Sequence, residues 1–138
     1  MTDYDTEVLD VREQSMDSIV ENEIEGIGRN FFIYERNNVI YHVPYNFIVY
    51  FRLEDRKICL AKEKDTINDI ALKMSDIEKD VPNYFVKVSH TLIVNAYYIE
   101  RIHNADITLS TKELFGISRK YKKDAMAKFS RIYNKDKV

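Results

Sequence analysis

Tryptophan is absent from this chain of 138 residues, cysteine occurs once, proline twice, and glycine and histidine three times each. Each scarcity excludes something. The lone Cys59 rules out a disulfide within the chain, and its neighbours Ile58 and Leu60 set it in an apolar stretch where a thiol packs rather than reacts. His42, His90 and His103 are not paired at i, i+4 and have no cysteine pair to join, so no zinc motif is present and no metal or other cofactor is expected. There is no glycine-rich phosphate loop and no GxSxG elbow, which leaves an enzyme without a motif to carry it. No apolar run approaches the roughly 18–20 residues of a membrane span. The N-terminus, MTDYDTEVLD, is acidic and lacks the apolar core of a secretory signal. These features together predict a soluble, cytoplasmic protein.

What the chain does contain is aromatic and charged. Ten Tyr and seven Phe favour pleated, half-buried surfaces and hence a β-rich fold. The net charge of −2 conceals a division. Residues 1–30 hold nine acids and two bases, whereas residues 31–138 hold nineteen bases and fourteen acids. Residues 110–138 alone hold nine bases against three acids. An acidic arm therefore precedes a basic body, an asymmetry that suits a polyanionic partner.

Residues 1–28 form the arm. Met16, Ile19, Val20, Ile24 and Ile27 recur near helical spacing before Gly28, a pattern open to a helix, a dimerisation arm or a disordered tail. The body, 29–138, reads as one mainly-β domain. FFIYE and VIYHV flank Asn37-Asn38 as a hairpin. FIVYF and ICLA flank a polar excursion through Arg56-Lys57. Thr66 and Asp69 resemble a capping box, with Ile67, Ile70, Ala71 and Met74 on one face, which predicts a short helix over 66–74. Four further segments, FVKV, LIVN, YYIERI and DITLS, then LFGIS, read as strands, for eight or nine in all. A terminal helix is predicted over 119–133, with Ser118 as its N-cap and Lys128 among the residues turned away from its apolar face.

Three basic or polar loops interrupt these strands. They are Arg56-Lys57, with Arg52 nearby; Lys87 to Thr91, centred on Ser89-His90; and Ser118-Arg119-Lys120, running on to Lys122 and Lys123. DNA is held by cations on phosphates and read by donors at base edges, and arginine can bind guanine O6 and N7 together. A helix N-terminus adds free N–H groups that suit a phosphate. By residue chemistry alone the alternatives stay open: a duplex-DNA binder, a single-strand binder that stacks bases on aromatics, or a protein-interaction module whose basic edge docks an acidic partner.

The stretch FVKVSHTLIVNAYYIERI followed by ITLSTKELFGISRKYKKDAMAKF resembles the LytTR-type DNA-binding domain of bacterial transcription regulators. Phe85, Lys87, Ser89-His90-Thr91, Val94-Asn95, Ile99 and Ile117-Ser118-Arg119-Lys120-Tyr121 carry the likeness, which spans about 31–130. The resemblance implies an elongated fold of small antiparallel sheets with one short helix and a C-terminal helix. It implies a regulator that reads promoter direct repeats through loops in successive major grooves, with two copies on the DNA. By position, Lys57 or Arg56, His90 and Arg119 would contact bases, and Lys87, Ser89, Lys120 and Lys122 would contact phosphates or support them. His90 departs from the family, where many members carry a basic residue and place His at the Ser89 position. The residues before the body are too few for a receiver domain, so a stand-alone regulator is expected, governed by abundance or by a partner such as a membrane inhibitor.

Overall fold

A computed structural model describes residues 30–137. The acidic arm and its helical spacing over Met16–Ile27 lie outside the described residues. The chain divides into two compact units, the first ending at Pro44 and the second beginning at Tyr45.

In the first unit, β1 (Phe31–Arg36) pairs antiparallel with β2 (Val39–Pro44). Asn37 and Asn38 make the two-residue turn with φ of 54° and 64°. Asparagine tolerates this left-handed region better than most residues, which is why the pair marks a hairpin in sequence. Tyr34 stacks on Tyr41 across the strands, ring centres 5.0 Å apart.

The second unit carries a five-stranded antiparallel sheet in the order β5-β4-β3-β7-β6. Its strands are β3 (Ile48–Glu54), β4 (Lys57–Lys62), β5 (Thr66–Ile70), β6 (Phe85–Ser89) and β7 (Leu92–Asn95). A helix, α1 (Met74–Asp80), lies between β5 and β6 in the chain. A second sheet has the order β10-β9-β8, formed by β8 (Ile99–His103), β9 (Asp106–Leu109) and β10 (Leu114–Gly116). The chain then enters α2 (Lys122–Lys137). Val49, Val86, Val88 and Val94 from one face of the large sheet form a core with Ile107 and Leu109 of β9, Ile117, and Ala125 and Phe129 of α2. On the alternate side chains Phe51 packs against Phe85, and Phe85 meets the edge of Tyr45.

The described residues hold ten strands, one more than the upper expectation, and the extra one corrects the reading of 66–74. Residues Thr66–Ile70 are strand β5, and the helix starts at Met74, where the sequence had it ending. Asp69 has φ of 62°, and between the pairs Leu60↔Ile67 and Ile58↔Ile70 strand β5 advances three residues while β4 advances two. This bulge turns Ile67 and Ile70 to the same side at a three-residue interval, which mimics helical spacing. YYIERI is likewise not one strand. Ala96–Tyr98 form a 3-10 turn capped by Asn95, whose side chain accepts the Tyr97 N–H at 2.9 Å.

Asn95 is fully buried, and its Nδ2 also donates to the Ile48 carbonyl at 2.9 Å. Asn95→Ala strands the Ile48 carbonyl in the interior and removes the cap from the Tyr97 N–H, so urea unfolding should show a loss of about 2–3 kcal/mol. Burial and nearby Asp80 push Tyr45 up to about 12, and burial with the Glu113 hydrogen bond raises Tyr50 as well. Both folded hydroxyls hold their protons above the unfolded value near 10. The stability they confer is therefore complete below pH about 10 and falls as pH rises towards 12 and beyond. Urea midpoints that stay level between pH 10 and 12 would contradict this. Finally, Arg56 occupies the β3–β4 turn at φ 67°. Arg56→Gly relieves a left-handed non-glycine residue and should raise stability by about 1 kcal/mol, read as a higher urea midpoint.

Candidate nucleic-acid interface

Strand order brings the three loops to one end of the large sheet. β3 runs toward Glu54 and turns through Asp55-Arg56, both left-handed, with Glu54 facing Lys57 across the closing pair. β7 runs antiparallel to β3 with Arg52 opposite Leu92, so the residues preceding β7 lie at the end where β3 finishes. These are His90 and Thr91, the turn between β6 and β7. The Leu53 N–H donates to the Thr91 carbonyl at 2.9 Å and fixes the two turns side by side.

The third loop is attached through the sheet's open edge. β6 is the outer strand, and its Val88 carbonyl accepts the Ser118 N–H at 2.9 Å. The preceding Ile117 is buried, with its N–H on the Ala105 carbonyl at 2.7 Å. Arg119–Tyr121 then make one 3-10 turn before α2. Ser118 stands at the N-cap position as expected, but its side chain makes no capping bond; the Tyr121 N–H is taken by the Ser118 backbone carbonyl at 3.0 Å. Interstrand steps of ~4.8 Å put the Lys57 strand about 14 Å from the Ser89 strand, and the Ser118 segment about one step further.

The side chains at this edge fall into two groups. The side chains of Arg56, Lys57, His90, Arg119 and Lys122 belong to exposed residues and make no hydrogen bond, ion pair or ring contact with other described residues. They are cations and donors free for a ligand. Ser89 is built into its turn: its Oγ accepts the Thr91 N–H at 3.2 Å and lies 3.5 Å from the Thr91 hydroxyl. Lys87 is more committed still. Its side chain is 18% exposed, its ammonium is 3.1 Å from a Glu78 carboxylate oxygen, and it lies 5.3 Å from the centre of the Tyr121 ring. Lys120 stands 5.7 Å from the same ring. Arg52 is also occupied, bonded to Glu54 at 2.7 Å and lying over Tyr50.

Lys128 does not turn away from the body as expected. Its ammonium donates to the Phe85 carbonyl at 2.8 Å and ties α2 to β6, and burial, with Arg131 nearby, lowers its pKa. Nothing in the sequence marks Glu78 as a neighbour of Lys87, since the two residues meet only through the return of the chain from α1 to β6. Cys59 is buried in β4 and burial pushes its thiol up, away from reactivity. Among the described residues no group of three or more His, Cys, Asp or Glu is placed to hold a metal ion. No described helix is long and apolar enough to cross a membrane.

A comparison with curated proteins finds no match. Among solved structures, the LytTr DNA-binding domain of a Bacillus cereus protein has a similar fold, with a TM-score of 0.59 at 18% identity over 69% of this chain and 92% of that one. The family profile described as the LytTr DNA-binding domain matches residues 38–130. That span includes all three loops and most of α2, and the chain belongs to the LytTr DNA-binding domain family.

Proposed function

We propose that the protein is a transcription regulator without enzymatic activity that binds double-stranded DNA at promoter direct repeats. The observation that carries this reading is the row of unpartnered donors at one sheet end: Arg56 and Lys57, then His90, then Arg119. In this reading Arg119 takes guanine O6 and N7, His90 donates to a purine acceptor, and Lys57, with Arg56 beside it, serves the first contact. Lys120 and Lys122 neutralise phosphates near the start of α2, where backbone N–H groups add to the attraction. The hydroxyl of Ser89 shapes the middle turn. Long side chains at both ends of the row extend its reach toward the roughly 34 Å that separates successive major-groove faces. Two copies occupy the two half-sites, in the cytoplasm, and a partner protein such as a membrane inhibitor governs access.

Selection of duplexes from a random pool, followed by fluorescence titration, tests the proposal. Wild type should prefer the selected duplex over a scrambled duplex and over its separated strands. Arg119→Ala should lose about 1–3 kcal/mol on the selected duplex and relax one base position. Lys120→Ala should weaken all duplexes alike and reduce the salt slope by about 0.9. Equal affinity of wild type for single strands and duplexes would reject the duplex reading.

A further inference from the structure

Lys87 lies in the sequence between residues assigned to DNA, but its surroundings give it other work. A lysine that serves a phosphate keeps its ammonium in solvent. Lys87 is 18% exposed, held at 3.1 Å by Glu78 from α1, and set 5.3 Å from the Tyr121 ring. Lys120 approaches the same ring at 5.7 Å. Two ammonium groups gathered around one ring repel each other, and the Glu78 carboxylate offsets one of them. Only Lys120 is then left with its charge uncompensated.

Position adds to this. Lys87 immediately precedes Val88, whose carbonyl holds Ser118, and Tyr121 ends the turn that begins with Arg119. The side-chain contact and the backbone bond therefore bracket Arg119: one fixes the chain before it and the other the chain after it. The chain is held before Arg119 by the backbone bonds of Ile117 and Ser118 and later by the packing of Ala125 and Phe129, and the Tyr121 ring is the hold nearest to Arg119 on its far side.

We propose that Glu78, Lys87 and Tyr121 form a positioning unit that sets the direction of Arg119, with Lys87 acting through the Tyr121 ring and not as a phosphate ligand. The inference rests on the DNA-binding reading above and assigns Glu78 and Tyr121 roles in base selectivity. The unit is a cation shared between a carboxylate and an aromatic face, so the ring of Tyr121 matters and its hydroxyl does not.

The test measures salt slopes and single-base preferences for the full chain with Lys87→Ala, Tyr121→Phe, Tyr121→Leu and the double variant Lys87→Ala/Tyr121→Leu. Lys87→Ala should keep the wild-type salt slope. It should lose about tenfold in discrimination at the base position that Arg119→Ala relaxes, while positions relaxed by Lys57→Ala stay as in wild type. Tyr121→Phe should behave as wild type and Tyr121→Leu as Lys87→Ala. The double variant should be no worse than either single variant. In free protein, hydrogen exchange at the Ser118 amide should quicken in Lys87→Ala and Tyr121→Leu, a readout that needs no DNA, while the amide of buried Val94 keeps its wild-type rate and shows that the variants stay folded. A salt slope reduced by about one in Lys87→Ala, with base preference intact, makes Lys87 a phosphate ligand and overturns the inference while leaving duplex binding in place. Unaltered preference together with unaltered exchange overturns it equally. A wild-type chain without duplex preference removes both readings.

Discussion

The bond from the Ser118 N–H to the Val88 carbonyl is the joint on which the candidate site depends. Everything before it in the second unit can be built as two sheets; this bond is the direct backbone link that sets the basic segment leading into α2 beside the strand that ends at the His90 turn. It is available because β6 is the edge of the large sheet and its outward carbonyls lack a strand partner. An edge that would otherwise invite pairing with another chain is thereby capped by the protein's own third loop. The Phe85 carbonyl, two turns of the pleat away, is occupied in the same way by Lys128.

This use of the edge explains how the positive charge is apportioned. Not every cation in the basic body faces a ligand. Lys128 anchors a helix, Lys87 answers Glu78, Lys112 answers Glu100, and Arg52 answers Glu54. Among the cations that keep their side chains unpaired are those of the sheet end: Arg56, Lys57, Arg119 and Lys122, with His90 among them. Net charge alone could not reveal that sorting, because an ion pair depends on where the chain returns and not on how many bases it holds.

Legibility in the sequence follows the same line. The Asn37-Asn38 hairpin was plain because turn chemistry is local. The strands around Ser89-His90-Thr91 were plain because they are runs of strand-forming residues, and the terminal helix because its apolar period is regular. The stretch from Thr66 to Met74 misled because a left-handed Asp69 inserted one extra residue into a strand and reproduced the interval of a helix. The cap of the Ala96–Tyr98 turn escaped because Asn95 does two things at once, and its second partner, Ile48, is 47 positions away. For the site, the candidate residues could be named from motif and resemblance. That their loops share one sheet end came only from strand order, and the Glu78–Lys87–Tyr121 contacts came only from packing.

The turns at 55–56 and 90–91 have a further consequence. Each is a two-residue tip whose flanking backbone is already satisfied by a neighbouring strand, so the tip side chains contribute almost nothing to the core. A recognition helix must keep its apolar face while its polar face varies; these tips carry no such obligation. Their residues can be exchanged one at a time while the sheet stays unchanged. Such a scaffold can shift its sequence preference over evolutionary time by small steps that leave the core untouched, within the residues that the left-handed positions 55 and 56 tolerate, and descendants of one fold can diverge in target long before they diverge in architecture.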